Sequence, residues 1–94
     1  MTYKLKFIKV SKKEWTKLDS SVKIQFQKKL KERLENPRIL KDKLVGYENI
    51  YKIKLRNKGF RLAYEVLDQE IIVLVLAVGK RENNKIYADL ASRT

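Results

Sequence analysis

The sequence predicts an α+β fold of order βααβββα, in which two helices cover one side of a mainly antiparallel four-stranded sheet and a short helix ends the chain. Residues 51–56 alternate apolar and cationic side chains, and the stretch 51–64 is typical of a β-hairpin with one buried and one charged face. Residues 22–34 repeat an apolar residue every fourth position, as amphipathic helices do. Residues 71–78 are uninterruptedly apolar, which favours a central strand covered on both faces.

The composition narrows the class of protein. A length of 94 residues predicts a single domain (1–94), and a net charge of +12 favours nucleic acid, an anionic membrane surface or an acidic protein as partner. The absence of cysteine excludes disulfides and fits a reducing cytoplasm. The first residues, MTYKLKF, lack an apolar run of signal-peptide length, and no stretch has the length of a membrane span.

The N-terminal third predicts a strand and two helices. Residues 2–10 alternate as a strand does, and Ser11 with Glu14 has the spacing of a capping box for a short helix that buries Trp15 and Leu18. Residues 19–21 are predicted to cap a second helix, which ends before Pro37. Its predicted buried residues are Val22, Phe26, Leu30 and Leu34, with Ile24 beside them. Its lysine run has the composition of a solvated face more than of a phosphate site.

The predicted hairpin turns at Gly59, because glycine enters positive φ without steric cost. Opposing Arg56 to Arg61 pairs apolar residues throughout: Leu55 with Leu62, Ile53 with Tyr64 and Tyr51 with Val66. Arg61 then shares a face with Lys52 and Lys54. Like charges opposed across a sheet repel each other, so a polyanion is the expected partner of this face.

The rest of the chain predicts connections and a last helix. Residues 38–49 lack periodicity and are interpreted as a loop, Asp68-Gln69 as a tight turn, and Gly79 as the end or a bend of the central strand. Asn83-Asn84 is predicted to cap a short helix with Ile86, Tyr87, Leu90 and Ala91.

The available chemistry is that of cations and a phenol. There is no histidine, no phosphate-binding glycine loop and no triad partner for serine. The remaining set is Lys52, Lys54, Arg56, Arg61, Lys80, Arg81 and Tyr87. Guanidinium groups stabilise a phosphorane, and a lysine crowded by cations can act as a base, which fits attack of an RNA 2′-hydroxyl on its neighbouring phosphate. On spacing alone, a basic binding face without chemistry is the favoured alternative.

The runs YKIKLRNKGFRLAYEV and VLAVGKRENNKIY closely resemble the RelE branch of the RelE/ParE toxin superfamily, as do KEWTKL, KKLKERLENPR and KLVGY. The resemblance implies a cytoplasmic bacterial toxin that enters the A site of the 70S ribosome and cleaves translated mRNA to a 2′,3′-cyclic phosphate. It implies no cofactor or metal. It also implies an acidic RelB-like antitoxin that neutralises the toxin, and operator DNA bound only by the toxin–antitoxin complex, which represses the operon.

The resemblance assigns roles by position. Lys54 is the expected general base and Arg81 the general acid or leaving-group stabiliser, while Lys52 and Arg61 hold the phosphate and Tyr87 stacks on a codon base. Arg56, Lys80 and Lys43 are expected to bind RNA. Val45 stands where this branch often has arginine.

A regular strand after a two-residue turn at Asp68-Gln69 would place Arg81 on the face opposite Arg61. Either Gly79 lets the chain swivel or the turn contains three residues. Two other functions stay open: a non-enzymatic inhibitor like the gyrase-directed ParE branch, and a plain RNA- or ribosome-binding module.

Overall fold

The computed structural model describes residues 2–80 and 90–93, and it confirms the predicted α+β fold. Its elements are β1 (Lys4–Phe7), α1 (Lys9–Thr16), α2 (Ser20–Glu35), a 3₁₀ turn (Leu40–Asp42), β2 (Ile50–Leu55), β3 (Phe60–Leu67), β4 (Ile72–Lys80) and one helical turn, α3 (Leu90–Arg93). The strand order is β1-β4-β3-β2, with β1 parallel to β4 and the other pairs antiparallel. The apolar run is therefore an internal strand, as predicted.

Each face of the sheet has its own apolar cluster. The larger cluster lies under α1 and α2 and includes Trp15, Val22, Phe26, Leu30, Ile53, Leu62, Tyr64 and Val75. The smaller cluster on the other face consists of Ile50, Ala63, Leu76, Ala77 and Leu90. Within the described ranges, no helix is long and apolar enough to cross a bilayer.

The predicted strand over residues 2–10 is too long, and the predicted capping box is wrong. The chain turns into α1 at Lys9, with Ile8 as an N-cap that makes no side-chain cap bond. Ser11 lies inside the helix and is fully buried; its Oγ donates to the carbonyl oxygens of Ile8 (3.0 Å) and Val75 (2.6 Å). The Ser11 side chain, which the local spacing assigned to the helix cap, bonds to β4 instead.

The second helix agrees with its prediction at both ends. The Asp19 carboxylate accepts a hydrogen bond from the Val22 amide (3.0 Å), and the helix ends at Glu35. The placement of Ile24 beside the buried stripe is wrong, since it is 52% exposed. Two residues along a helix correspond to a rotation of about 200°, so Ile24 projects away from the face that buries Val22.

The hairpin register differs from the predicted one by two residues. Leu55 pairs with Phe60, and Lys54, in place of Arg56, pairs with Arg61. The Leu55 carbonyl accepts from the Gly59 amide (2.8 Å), and Gly59 has φ +69° as the last loop residue. Because side chains alternate with period two, a two-residue shift keeps every side chain on its predicted face. Gly59 as the turn residue is confirmed.

A β-bulge in β4 decides which residues lie across from Arg61. The connection from β3 spans residues 68–71, two residues longer than predicted, and Ile71 has φ +56°. Tyr64 pairs with Val75 whereas Ala63 pairs with Ala77, so Leu76 is the extra residue and alternation changes there. Gly79 consequently lies opposite Arg61, inside a strand that continues to Lys80. Neither a three-residue turn nor a swivel at Gly79 produces this arrangement.

Arg33 links α2 to the free edge of β2. Its Nη1 donates to the Lys52 carbonyl (3.2 Å) and to the Tyr64 hydroxyl (2.8 Å), and its Nη2 pairs with Asp42 (2.6 Å). The Tyr64 hydroxyl donates to the Pro37 carbonyl (2.6 Å). An edge strand lacks a neighbour to satisfy its outer carbonyls, so this guanidinium supplies a donor that no further strand provides.

We expect Arg33→Met to lower the free energy of unfolding by about 1–3 kcal/mol, because it leaves partly buried acceptors without a donor. Urea denaturation followed by circular dichroism measures this loss. The matched control is Lys29→Met, one turn earlier on the same helix and exposed, with an expected change within about 0.5 kcal/mol. Equal stability of the two variants would contradict a structural role for the Arg33 contacts.

Candidate active site

The sheet face that carries the smaller apolar cluster also carries the candidate catalytic cations. Lys54 pairs with Arg61 and Lys52 with Ala63, so the strand pleat sends Lys52, Lys54 and Arg61 to the same side. Directly opposed residues place their Cβ atoms about 4.5–5.5 Å apart. All of these side chains are half-buried. Lys54 and Arg61 therefore face each other as like charges at close range.

This crowding changes the acidity of Lys54. The positive charge of Lys52 is the largest cause that lowers the pKa of the Lys54 amine, followed by desolvation and the charge of Arg61. A hydrogen bond with Lys52 and the charge of Arg56 act in the same direction. Each cation disfavours protonation of its neighbour, so more of the Lys54 amine is free at neutral pH than in an isolated lysine. A lowered pKa is a property that a lysine needs in order to act as a general base near neutral pH.

Open grooves meet at Lys54. The larger, with a volume of about 920 Å³, runs along the free edge of β2 between α2 and the 3₁₀ turn. The smaller, of about 310 Å³, lies over the hairpin end. Lys54 and Arg56 line both grooves, and Arg61 lines the smaller. A polyanionic strand that follows either groove passes the Lys54 amine.

Of the other predicted site residues, only some lie with Lys52, Lys54 and Arg61. Arg56 joins the cluster from the first loop position after β2. Lys43 forms an isolated bridge with Tyr51 and does not line the grooves described above. Lys80 pairs with Phe60, which packs on the helix side, so it projects from the face opposite Arg61. Arg81 and Tyr87, also expected in the site, lie outside the described residues.

The sequence interpretation missed part of the larger groove. Its walls include Lys29 and Arg33 from α2 and Lys41 from the 3₁₀ turn. The lysine run of α2 is the available signal: its composition predicts a solvated face, and Lys29 is indeed exposed but also lines this groove. Val45, which the family resemblance singles out, is 98% exposed. Among the described residues, His, Cys, Asp and Glu form no group of three that could hold a metal ion.

Comparison with known proteins identifies the family. A family model described as the ParE toxin of the type II toxin–antitoxin system parDE matches residues 5–85. The mRNA interferase toxin RelE of Escherichia coli K12 is 48% identical over 93 residues, which cover 99% of this chain and 98% of that protein. This chain belongs to the RelE/ParE toxin superfamily. Its full-length similarity places it with the RelE-type toxins.

Solved structures of RelE have the same fold. A free arginine-to-alanine mutant of E. coli RelE superposes on this RelE-type chain with a TM-score of 0.91 at 47% identity, covering 99% of this chain and 98% of that one. The same mutant in complex with a peptide of the antitoxin RelB gives a TM-score of 0.84 at 47% identity, covering 100% and 99%. The matched regions cover essentially the whole length of both sequences.

Proposed function

We propose that this chain is the toxin of a type II toxin–antitoxin system and that it cleaves mRNA on the ribosome. The observation that carries the proposal is the juxtaposition of Lys52, Lys54 and Arg61 on one sheet face, with the pKa of Lys54 lowered by its neighbours. The similarity to RelE mRNA interferases along the full chain supports the same activity.

The proposed reaction is a transesterification within the RNA. The free Lys54 amine takes the proton of a 2′-hydroxyl, and the 2′-oxygen attacks the adjacent phosphorus. Lys52 and the Arg61 guanidinium neutralise the charge of the phosphorane, as donors fixed in advance at developing charge do. The bond to the 5′-oxygen breaks, leaving a 2′,3′-cyclic phosphate. By family resemblance, Arg81 protonates the leaving 5′-oxygen and Tyr87 stacks on a base.

We propose that the ribosome orients the RNA substrate for cleavage. The grooves at Lys54 are open, and their walls offer charge without an enclosed pocket to orient one nucleotide. Positioning by a host can supply roughly 7–11 kcal/mol of a barrier. The toxin would act in the cytoplasm, where translating ribosomes expose mRNA in the A site.

An acidic RelB-like antitoxin is the proposed neutralising partner. A net charge of +12 gives an acidic segment a large electrostatic gain when it folds onto the surface. The RelE mutant of E. coli has been solved with a RelB peptide. Operator DNA is proposed to bind only through the toxin–antitoxin complex, which represses the operon.

Mapping of mRNA 5′ ends after brief induction tests the proposed function. We expect new ends within translated codons, and none in untranslated RNA. Inhibition of growth with no new ends and with DNA supercoiling defects would instead identify a gyrase-directed inhibitor. Ribosome association with neither effect would identify a binding module without chemistry.

The pH dependence of cleavage tests whether Lys54 is the general base. Lysine must be neutral to accept a proton, so the rate falls about tenfold per pH unit below the pKa of Lys54. Lys52→Gln removes the largest cause that lowers this pKa, and we expect the acid limb of the single-turnover rate profile to move to higher pH. Lys4→Gln, on β1 at the opposite edge of the sheet, should leave the limb in place. A limb that Lys52→Gln leaves unmoved would contradict Lys54 as the base.

A further inference from the structure

The larger groove passes over the free edge of the sheet and is lined from both of its faces. Lys52 and Lys54 reach the groove from the cationic face, whereas Ile53 and Leu55 line it from the face that packs under α2. Because β2 is an outer strand of the described sheet, α2 and the 3₁₀ turn bound this side instead of another strand. We call this groove the edge groove; its polar lining from α2 and the 3₁₀ turn consists of Gln25, Lys29, Glu32, Arg33, Lys41 and Asp42.

The walls of the edge groove carry a net positive charge. Arg33 pairs with Asp42 at 2.6 Å, so these two charges cancel each other. Lys29 and Lys41 are exposed, and the ion pairs described within residues 2–80 and 90–93 involve neither of them. Glu32 is the remaining carboxylate of the described lining. The lysines therefore outnumber the acids left to oppose them, which favours a polyanion in the groove.

The two wall lysines stand on opposite sides of the edge groove. Gln25, Lys29 and Arg33 recur every four residues, so they form one row along the face of α2 that lines the groove. Lys41 belongs to the 3₁₀ turn, which forms the other wall. A strand in the groove thus has a lysine on each side, and the Gln25 amide can donate to or accept from its sugar and phosphate oxygens.

Strand β2 adds a backbone donor beside Lys54. The Lys52 carbonyl accepts from Arg33 of α2, so it points to the free edge of the sheet. The backbone groups of a strand alternate sides with a period of two, and the Lys54 amide therefore points to the same edge. Backbone amides are common ligands of phosphate oxygens. The main chain can thus contact a nucleic-acid strand at the position of the proposed base.

The lining suits a phosphodiester backbone better than an amphipathic acidic peptide. Ile53 and Leu55 are 1% and 2% exposed, so they offer little apolar surface. The exposed large apolar side chains of the described residues line neither groove; they are Val10, Ile24, Leu40 and Val45. An amphipathic segment needs an apolar strip on which to bury its own. The described lining also includes no aromatic ring, so the groove would contact phosphate and sugar without stacking on bases.

We propose that the edge groove is a sequence-independent subsite for the mRNA strand and that Lys29 and Lys41 bind phosphates next to the reacting one. Lys54 and Arg56 line both grooves, so a strand whose phosphate stands at Lys54 continues into the edge groove on one side. The subsite supplies affinity and direction and touches no reacting atom. This inference rests on the proposed function for the place of the scissile phosphate, yet its first test needs neither cleavage nor ribosomes.

Binding of two RNA oligonucleotides to the free toxin tests the subsite. One is a trinucleotide and the other a nonanucleotide, and every 2′-hydroxyl is methylated so that no cleavage competes with binding. We expect Lys29→Met/Lys41→Met to weaken binding of the nonanucleotide about tenfold and to leave the trinucleotide unchanged. The slope of log affinity against log salt should fall by about 1.4, because each phosphate contact of a single strand contributes about 0.7.

The matched control is Lys28→Met/Lys31→Met, which removes two exposed lysines of the same helix that line neither groove. Equal weakening in this control would overturn the subsite, because the effect would then be one of general charge. Wild-type binding of the nonanucleotide by the groove variant would also overturn it. A groove variant that loses a polyglutamate peptide but keeps the nonanucleotide would identify a docking site for acidic protein instead. Circular dichroism of each variant establishes that the fold is intact.

A cross-link on programmed ribosomes identifies the bound strand. Gln25→p-benzoylphenylalanine places a photoreactive group in the lining of the edge groove and retains both wall lysines. We expect ultraviolet light to join it to an end-labelled message, and cross-linking to ribosomal RNA alone would overturn the assignment. Groove-dependent binding of the nonanucleotide by a toxin that cleaves no mRNA would support an RNA subsite and refute the proposed function. Cleavage on ribosomes without such binding would refute the subsite alone.

Discussion

Lys54→Met should lower the single-turnover rate of mRNA cleavage on ribosomes by on the order of 10²–10⁴-fold, the range that general bases contribute. Methionine keeps most of the apolar stem, so the sheet should remain folded. The loss is large because Lys54 is the amine of the described cluster whose pKa its neighbours lower, and because it lines both grooves. The measurement is a quench time course with toxin in excess over programmed ribosomes.

The matched control for this variant is Lys4→Met. Lys4 is an exposed strand lysine of the same sheet, on β1 at the edge opposite β2. Lys4→Met removes the same charge as Lys54→Met, so a general electrostatic effect on ribosome binding would appear in both variants. Equal rates for Lys54→Met and Lys4→Met would refute a catalytic role for Lys54.

Arg61→Met should lower the same rate by about 10²–10³-fold, as removal of one donor from a site that stabilises developing charge does. Arg61 faces Lys54 directly across the hairpin, and we therefore expect its guanidinium to contact the phosphate that a 2′-oxygen beside Lys54 attacks. Arg61→Lys keeps the charge but offers no planar fork, and we expect it to recover only part of the rate.

Ribosome affinity separates the roles that Arg61 can play. A group that acts on the phosphorane lowers the rate at saturation, whereas a group that only attracts RNA weakens binding and leaves the saturated rate unchanged. Arg38→Met, which removes an arginine that lines neither groove, is the control and should match wild type in both measurements. A purely binding effect of Arg61→Met would contradict the assigned role.

The sequence patterns that predicted the fold correctly are those in which apolar residues must lie on one buried face. The period of two in residues 51–66 places Lys52, Lys54 and Arg61 on one face, and this prediction is confirmed. The same period is satisfied by registers that differ by two residues, so it could not distinguish Arg56 from Lys54 as the partner of Arg61. The left-handed Gly59 at the last loop position selects the observed register.

The features that the sequence concealed depend on contacts between distant parts of the chain. Leu76 is one apolar residue in an apolar run, so the hydrophobic pattern of the sequence does not reveal the bulge. Ser11 and Glu14 have the spacing of a capping box, yet both side chains bond to β4. Arg33 lies among exposed lysines, and its link to the Lys52 carbonyl appears only when α2 packs beside β2. Such long-range hydrogen bonds carry no local sequence signature.

The most direct measurement compares one mRNA on and off the ribosome. Wild-type toxin would be mixed, in single-turnover excess, with an end-labelled message that is either bound in the A site or free at the same concentration. If cations on a sheet face cut RNA only after the ribosome aligns it, the bound message is cleaved to a 2′,3′-cyclic phosphate and the free message persists. Cleavage of the free message at the same rate, or of the bound message without a cyclic phosphate, would contradict that account.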